Sequence, residues 1–424
     1  MKKLTRILLA FLAVFICTAS LAQSPRKIIK EDPAYSGCYY RSYPAPAEDQ
    51  GMEAPEGYSP FYISHYGRHG SRWVSDQKVY DRASALMERA AAENVLTQKG
   101  KALLEDLRII CEDAALRGGD LSPKGALEHK GIARRMYRNY PEVFTSKDGR
   151  PVRVSSVATL SPRCILSMAA FNEALKEEDA GLELTREASK RYLHYMHNYE
   201  YTDAIYKASE NAADSLVRAW VEPDRFLSSI ISDQSFIRES VADPQMAMFD
   251  FFHIASDMQC VDYLGIDLYD FFTEKELYHL WKTLNAHTYM TEGPSFRYGD
   301  LLMKNAKALV RNFVETADEV IEGKSPYAAH LRFGHESNIV PFMALIEVKA
   351  VKARTTAEKA DECWNVSEIC PMATNMQFIF FKNSSNEIKV RVLHNERDAD
   401  LPIEGAPFYD WKVLRPYLME KAAL

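Results

Sequence analysis

The sequence predicts an α/β protein: a three-layer domain with a central mixed sheet flanked by helices, plus an inserted α-helical cap domain. Two observations carry this. Strand-like and helix-like runs alternate at both ends of the chain, and residues 172–300 between them read mostly as helix, with many aromatics and few strand-like runs. The predicted division is a discontinuous α/β domain over 23–171 and 301–424, a mainly helical insertion over 172–300, and a leader over 1–22. With 424 residues and 47% hydrophobic side chains, the chain can bury a large core and is long enough for two or three domains. Its 26% of charged residues is ordinary and points away from disordered, collagen-like or coiled-coil classes.

In chain order, MKKLTR is basic, ILLAFLAVFI is apolar and TASLAQ offers a small-residue cleavage site, which predicts a secretory leader cut after Ala22. The apolar run is too short to span a bilayer, and no other stretch reaches membrane length. Cys17 follows VFI, without the small residues a lipid-attachment site wants, so the expectation is export to the periplasm or medium without an anchor. Losing Lys2, Lys3 and Arg6 with the leader takes the net charge from −7 to −10. So acidic a protein is a poor nucleic-acid binder, and any anion must be handled by a local basic pocket. The six remaining cysteines, Cys38, Cys111, Cys164, Cys260, Cys363 and Cys370, permit disulfides in an exported protein; Cys363 and Cys370 could close a small loop. Their spacings do not resemble a zinc site.

Residues 23–57, rich in Pro, Tyr and Gly, are expected to wrap the surface. FYISHY (61–66) reads as a strand, and YDRASALMERAAAE places Ala83, Leu86, Met87 and Ala90 on one helical face. Ser122 is a predicted N-cap, with Pro123 at the first helical position. PVRVSSVA (151–158) alternates as a strand and ILSMAAFNEALKEE (165–178) reads as helix. AHLRFGH (329–335) predicts a strand leading into a helix over SNIVPFMALIEV, and QFIFFKN with IKVRVLHN predicts a hairpin turning at SSNE.

Two sites carry chemistry. In GRHGSR, Arg68 and Arg72 would lie four apart on one face if a helix begins just after the strand. Their guanidinium forks suit phosphate oxygens, and Gly67 and Gly70 allow close backbone approach. His69 lies between these cations, which disfavour its imidazolium; a neutral imidazole is a nucleophile. In the second, His335 and Glu336 stand between a strand and a helix N-terminus, a place that favours anions. His335 can donate to a phosphate oxygen. Glu336 can protonate a leaving alkoxide if its pKa is raised, as a nearby phosphate dianion would do. Taken singly, the first site also fits a solvated basic turn and the second a helix-capping pair. No histidine follows at the spacing of a zinc-protease HExxH motif.

Together the two sites resemble the histidine acid phosphatase family, the second branch of the histidine phosphatase superfamily, which carries R-H-G-x-R near its start and a histidine–acid pair near its end. A further family arginine, before the helix that begins the cap, is matched by Arg163 in SPRCILSMAAF. Within the family, FGHESNIVPFM and KVRVLHNERDADLPI are most similar to the multiple inositol-polyphosphate phosphatases. The resemblance implies that His69 attacks phosphorus to form a phosphohistidine, that Arg68, Arg72, Arg163 and His335 hold the phosphoryl oxygens, and that Glu336 protonates the departing alcohol. It implies no metal and no cofactor, and a small-molecule phosphate ester as the partner. It leaves the oligomeric state open.

The chain departs from the family pattern twice. Trp73 and Val74 stand where R-H-G-x-R-x-P has its proline region. The acid, Glu336, occupies the H-D position of other branches, while Ser337 stands where the H-A-E of the inositol branch has its glutamate. The proton donor therefore stays open. So does substrate: phosphorylated inositols lead, a broader acid phosphatase acting on sugar phosphates or phosphoglycerates is the alternative, and a phosphate-binding relative with weak catalysis is a third reading. Of the other candidates, His65 and His129 read as core or supporting histidines, and His253, His279 and His287 as packing or surface residues. Lys124, Arg41 and Arg153 read as ion-pair partners rather than a polyanion pocket. GKS (323–325) is no P-loop, because Asp318 stands where glycine is needed.

Overall fold

An eight-stranded mixed sheet forms the middle layer of the computed structural model, which describes residues 24–46, 53–146, 149–197 and 202–423. The predicted leader over 1–22 lies outside the described residues. In chain order the strands are β1 (Tyr58–Arg68), β2 (Arg153–Ala158), β3 (Glu183–Ala188), β4 (Tyr327–Gly334), β5 (Asn375–Asn383), β6 (Ile388–His394), β7 (Arg397–Asp398) and β8 (Phe408–Asp410). Their spatial order is β3-β2-β4-β1-β5-β6-β7, with β8 paired to β6. The first four run parallel, whereas β1 pairs antiparallel with β5 and β5 with β6, the predicted hairpin. The longer helices are α1 (Gln77–Ala92), α2 (Gln98–Ala114), α3 (Pro123–Asn139), α4 (Pro162–Glu178), α5 (Thr202–Trp220), α6 (Pro244–Asp257), α7 (Glu274–Thr291), α8 (Gly299–Ile321), α9 (Glu336–Leu345) and α10 (Trp411–Ala423).

Three layers follow from the period of two along the strands. In β5, Phe378 and Phe380 point into a core shared with Phe313 of α8 and Phe342 of α9, while Ile379 and Phe381 point to the opposite core with Ile132 of α3 and Phe171 of α4. β1 splits likewise, Tyr62 and Tyr66 to the first core and Ile63 to the second. A strand buried on both faces reads as an unbroken apolar run, as FIFF does. Each of these phenylalanines contributes roughly 1.5–3 kcal/mol by burial.

Helix starts obey their caps. Ser122 accepts from Gly125 N–H with Pro123 at the first position of α3, and Asp76 accepts from Lys78 N–H to open α1. Pro341 lies inside α9, where it forfeits one hydrogen bond, and the helix ends soon after at Leu345. Between 172 and 300, α6 packs on α1 and α7 on α5. This stretch also holds β3, which the sequence pattern missed. β3 is an edge strand with its mostly polar side chains partly or fully exposed, so ELTREA carries no apolar alternation. The six cysteines expected to permit disulfides are unbonded; Cys363 is exposed while Cys370 is buried. Among the described residues no helix is long and apolar enough to cross a membrane.

Candidate active site

Because β1, β2 and β4 are parallel neighbours, their carboxyl ends finish along one edge of the sheet. Such a crevice is where open α/β sheets bind ligands. β1 ends at Arg68 and hands on His69; β2 hands on Thr159 and the first turn of α4, with Arg163; β4 hands on His335 and Glu336. Backbone hydrogen bonds continue past the strands and lock these segments together: His69 N–H donates to Gly334 O (2.9 Å), Thr159 N–H to Phe333 O (3.0 Å) and Ala373 N–H to His69 O (3.0 Å).

No helix begins at GRHGSR. Arg68 is the last residue of β1, Arg72 bridges antiparallel to Leu121, and helix starts only at Gln77. The two arginines are therefore not joined on a helical face. The segment is held open by a buried carboxylate, Glu128 of α3, which accepts from Ser71 N–H (2.8 Å), Ser71 Oγ (2.7 Å) and Tyr43 N–H (2.8 Å). Backbone presses on backbone here. A Cβ at Gly70 would stand 2.4 Å from Gly125 O, and one at Gly125 would stand 2.2 Å from Ser71 O.

His69 is fully buried. Its Nδ1 lies 2.9 Å from Gly70 O, which only accepts, so Nδ1 carries the proton and Nε2 keeps a lone pair. Nε2 has no hydrogen-bond partner and lies 3.6 Å from Glu336 Oε2. Burial lowers the imidazole pKa to about 3; Arg68 and Arg163 add to this and Glu336 opposes it only partly. Arg68 donates from Nε to Glu336 Oε2 (3.0 Å) and from one terminal nitrogen to Tyr39 O (2.7 Å) and Cys370 O (3.0 Å), while its other terminal nitrogen is buried without a partner. Burial alone would raise the Glu336 carboxyl, but Arg68 and His69 outweigh it and hold it well below the usual carboxylate range.

His335 faces His69 edge-on, ring centroids 5.6 Å apart. Burial and His69 push its pKa well down, and its Nε2 lies 3.1 Å from Thr159 Oγ1. Arg163, half-buried on the first turn of α4, acts electrostatically on His69, Glu336, Arg68 and Arg72; its Nε is buried without a partner. Arg72 stacks its guanidinium 5.1 Å from the Tyr40 ring centroid and shares a cavity of about 370 Å³ with Glu336. All six nominated residues thus gather at one place. His69, His335 and Glu336 bring ligand atoms within 4.8 Å of one another, a spacing that could hold a metal ion. With Arg68 on Glu336 and Arg163 beside them, the field at that point suits an anion better than a cation.

Several residues here carried no local signal. His197 stacks on His335 with centroids 4.2 Å apart, and its Nε2 lies 3.0 Å from Ser337 Oγ, so Ser337 is engaged sideways. The far wall of the cavity includes Tyr39, Tyr206, His253, His287 and Glu292. His253 and His287, expected as packing or surface residues, thus line the cavity. His65 behaves as expected, buried between Phe171 and Phe333, and His129 packs on the same two rings. Lys124 pairs with Asp262 (2.7 Å) and Arg153 with Glu183 (3.3 Å). Arg41 instead donates to Ser367 O (3.3 Å) and lies over Tyr35.

A family model described as the histidine phosphatase superfamily (branch 2) matches residues 67–395. No curated protein matches the sequence. Among solved structures, the multiple inositol polyphosphate phosphatase of Bifidobacterium longum, in its complex with inositol hexasulfate, is similar at 18% identity and a TM-score of 0.73, covering 91% of this chain and 97% of that one. The phytase from D. castellii is similar at 15% identity and a TM-score of 0.68, covering 92% of this chain and 85% of that one. The Hafnia alvei phytase is similar at 12% identity and a TM-score of 0.54, with coverage of 88% and 98%. At these identities the likeness is one of fold.

Proposed function

The chain belongs to branch 2 of the histidine phosphatase superfamily, and from that premise we propose that it is an exported phosphomonoesterase working through a phosphohistidine. One observation carries the proposal above all: the Gly70 carbonyl fixes the proton on Nδ1 of His69 and leaves an unpartnered Nε2 lone pair in the field of Arg68 and Arg163. Nε2 attacks phosphorus; Arg68, Arg72, Arg163 and His335 receive the equatorial oxygens, where charge spreads in the transition state. Water then attacks the phosphohistidine and returns the lone pair to Nε2. Glu336 is the acid nominated by the motif; ionised while the site is empty, it requires the dianion of the substrate to raise its pKa before it can donate.

For the substrate we propose a phosphorylated inositol, supported by the likeness of fold to enzymes of that class. One observation favours the alternative of a sugar phosphate or phosphoglycerate. Beyond the cradle, the cavity offers Arg82 as its further cation, and Arg82 is bound two-pronged to Asp250 at 2.7 and 2.6 Å. A ring with many phosphates would find little free positive charge there. The insertion over 172–300 is proposed to act as the cap that supplies this wall, and the 1–22 leader to direct export. Protein N-terminal sequencing after expression tests the cleavage.

The decisive experiment is an alkaline quench during turnover of a ³²P-labelled ester, followed by peptide mapping. Label is expected on His69 and absent from His69→Ala, a variant expected to keep its fold and lose at least ~10⁴-fold in kcat. Full activity in His69→Ala would remove the nucleophile assignment. Phosphate held tightly with no ester turned over would instead support a binding protein.

A further inference from the structure

Glu292 follows the last turn of α7 and lines the same cavity as Arg72 and Glu336. It is 2% exposed. The Tyr206 hydroxyl of α5 donates to Oε1, while Oε2 is buried with no hydrogen-bond partner. A buried carboxylate oxygen without a donor is costly, whereas a buried carboxylic acid with a proton to give is a poised donor. Glu292 also interacts electrostatically with Glu336 and Arg68, which puts the two carboxyls in one field.

We propose that Glu292, and not Glu336, protonates the leaving group in this site. The assignment rests on the phosphohistidine reading given above. As Nε2 of His69 bonds to phosphorus and the P–O ester bond breaks, the electron pair stays on the ester oxygen, which takes the proton from Glu292. In the second half, water attacks phosphorus, the N–P bond breaks with its pair returning to Nε2, and the water proton passes to the Glu292 carboxylate. Acid and nucleophile are both restored. Glu336, ionised against Arg68, then orients that guanidinium until substrate arrives.

The environments of the two carboxyls support this division, because such pairs take opposite roles when their surroundings push their pKa values apart. Burial raises Glu292 to about 8, with Glu336 adding to the rise and Tyr206 and Arg68 opposing it. Glu336 is held well below its usual range. The other titratable or charged groups facing Glu292 are Cys370, which feels its charge, and, across the cavity, Arg72, His253, His287, Tyr39, Tyr40, Asp76 and the paired Arg82 and Asp250. Burial lowers His253 to about 4 and depresses His287, so neither is charged near neutrality.

The test compares Glu292→Gln and Glu336→Gln on an alkyl phosphate, whose leaving group needs a proton, and on p-nitrophenyl phosphate, whose leaving group does not. Glu292→Gln preserves an acceptor for Tyr206 and is expected to melt like the parent protein. It should lower kcat on the alkyl ester by at least ~100-fold and on the aryl ester by less than ~5-fold, and should abolish the basic limb of the alkyl-ester profile near pH 8. Tyr206→Phe, which removes a hydrogen bond to the ionised form, should shift that limb upward. Glu336→Gln should slow both esters by one factor. If the leaving-group dependence instead follows Glu336→Gln and Glu292→Gln leaves both esters unchanged, the assignment is overturned while the phosphohistidine reading stands. If no ester is turned over by the parent protein, both fall.

Discussion

Arg68 and Glu336 meet across the ends of two neighbouring parallel strands, Nε to Oε2 at 3.0 Å, on the side of Arg68 that faces His69. On the proposed chemistry the carboxylate stands where a phosphoryl oxygen would sit, and an arriving ester would have to displace it. About a quarter of the Glu336 side chain is exposed, so it has room to turn away.

Glu336→Gln should accordingly bind inorganic phosphate at least ~10-fold more tightly at pH 7, since losing one charge beside a guanidinium exceeds the 1.4 kcal/mol that a tenfold change represents. Isothermal titration calorimetry measures it directly. Weaker phosphate binding in this variant would mean that Glu336 meets phosphate as a protonated donor.

Arg163 has a buried Nε without a partner and sits among other cations, with burial lowering its pKa. Replacing an unpaired, partly buried charge by an apolar side chain tends to be neutral or stabilising. Arg163→Met should therefore melt at the same or a higher temperature while its Kd for phosphate rises about 100-fold, the loss of one charged, forked contact. A large fall in melting temperature would show that Arg163 serves the fold.

Glu128 braces the segment that follows β1 through three hydrogen bonds to its carboxylate. Glu128→Ala should cost about 3 kcal/mol in urea unfolding. It should also lower kcat more than it raises KM, because it releases Ser71 between His69 and Arg72. Glu128→Gln, which keeps one of the two acceptor oxygens, should recover part of kcat. Equal kcat in both variants would reduce Glu128 to a structural role.

His65 and His129 are buried with both ring nitrogens unpartnered. Burial depresses both, His129 to about 3 and His65 well below the usual histidine range. Unfolded histidines titrate near 6.5. Folded-state values below the unfolded one mean that the unfolded chain binds more protons between these limits, so stability is full above about pH 6.5 and is lost as pH falls. The melting temperature should drop steadily from pH 7 to pH 4, and His129→Leu should flatten that drop. Since His69 stays neutral to about pH 3, the acid end of activity is expected to follow unfolding rather than titration of the nucleophile.

The parts of this site that sit in contiguous runs were legible in the sequence. Arg68 with His69, and His335 with Glu336, each stand at the end of a strand with a plain apolar pattern, and Arg163 lies at the start of the helix that opens at Pro162. The sheet was legible for the same reason, except β3, whose exposed edge position asks for no apolar residues, and β7 and β8, which are only two and three residues long. What stayed hidden depends on chain folding over long distances. Glu128 is aimed at Ser71 by the packing of α3, and Tyr206 and Glu292 meet only because α5 lies on α7. Arg72 was misjudged because residue spacing cannot tell an extended bridge from the start of a helix when the pairing strand, around Leu121, is a single residue long.

The seam where Gly70 meets Gly125 sets a limit on evolution of this loop. With carbonyl and α-carbon already touching there, even one added methyl at either position would pry α3 away from the sheet edge, and no compensating change elsewhere restores the lost space. In a saturation library the two positions should tolerate nothing else, singly or paired, whereas Ser71, between Gly70 and Arg72, should accept threonine, the one other small hydroxyl-bearing side chain.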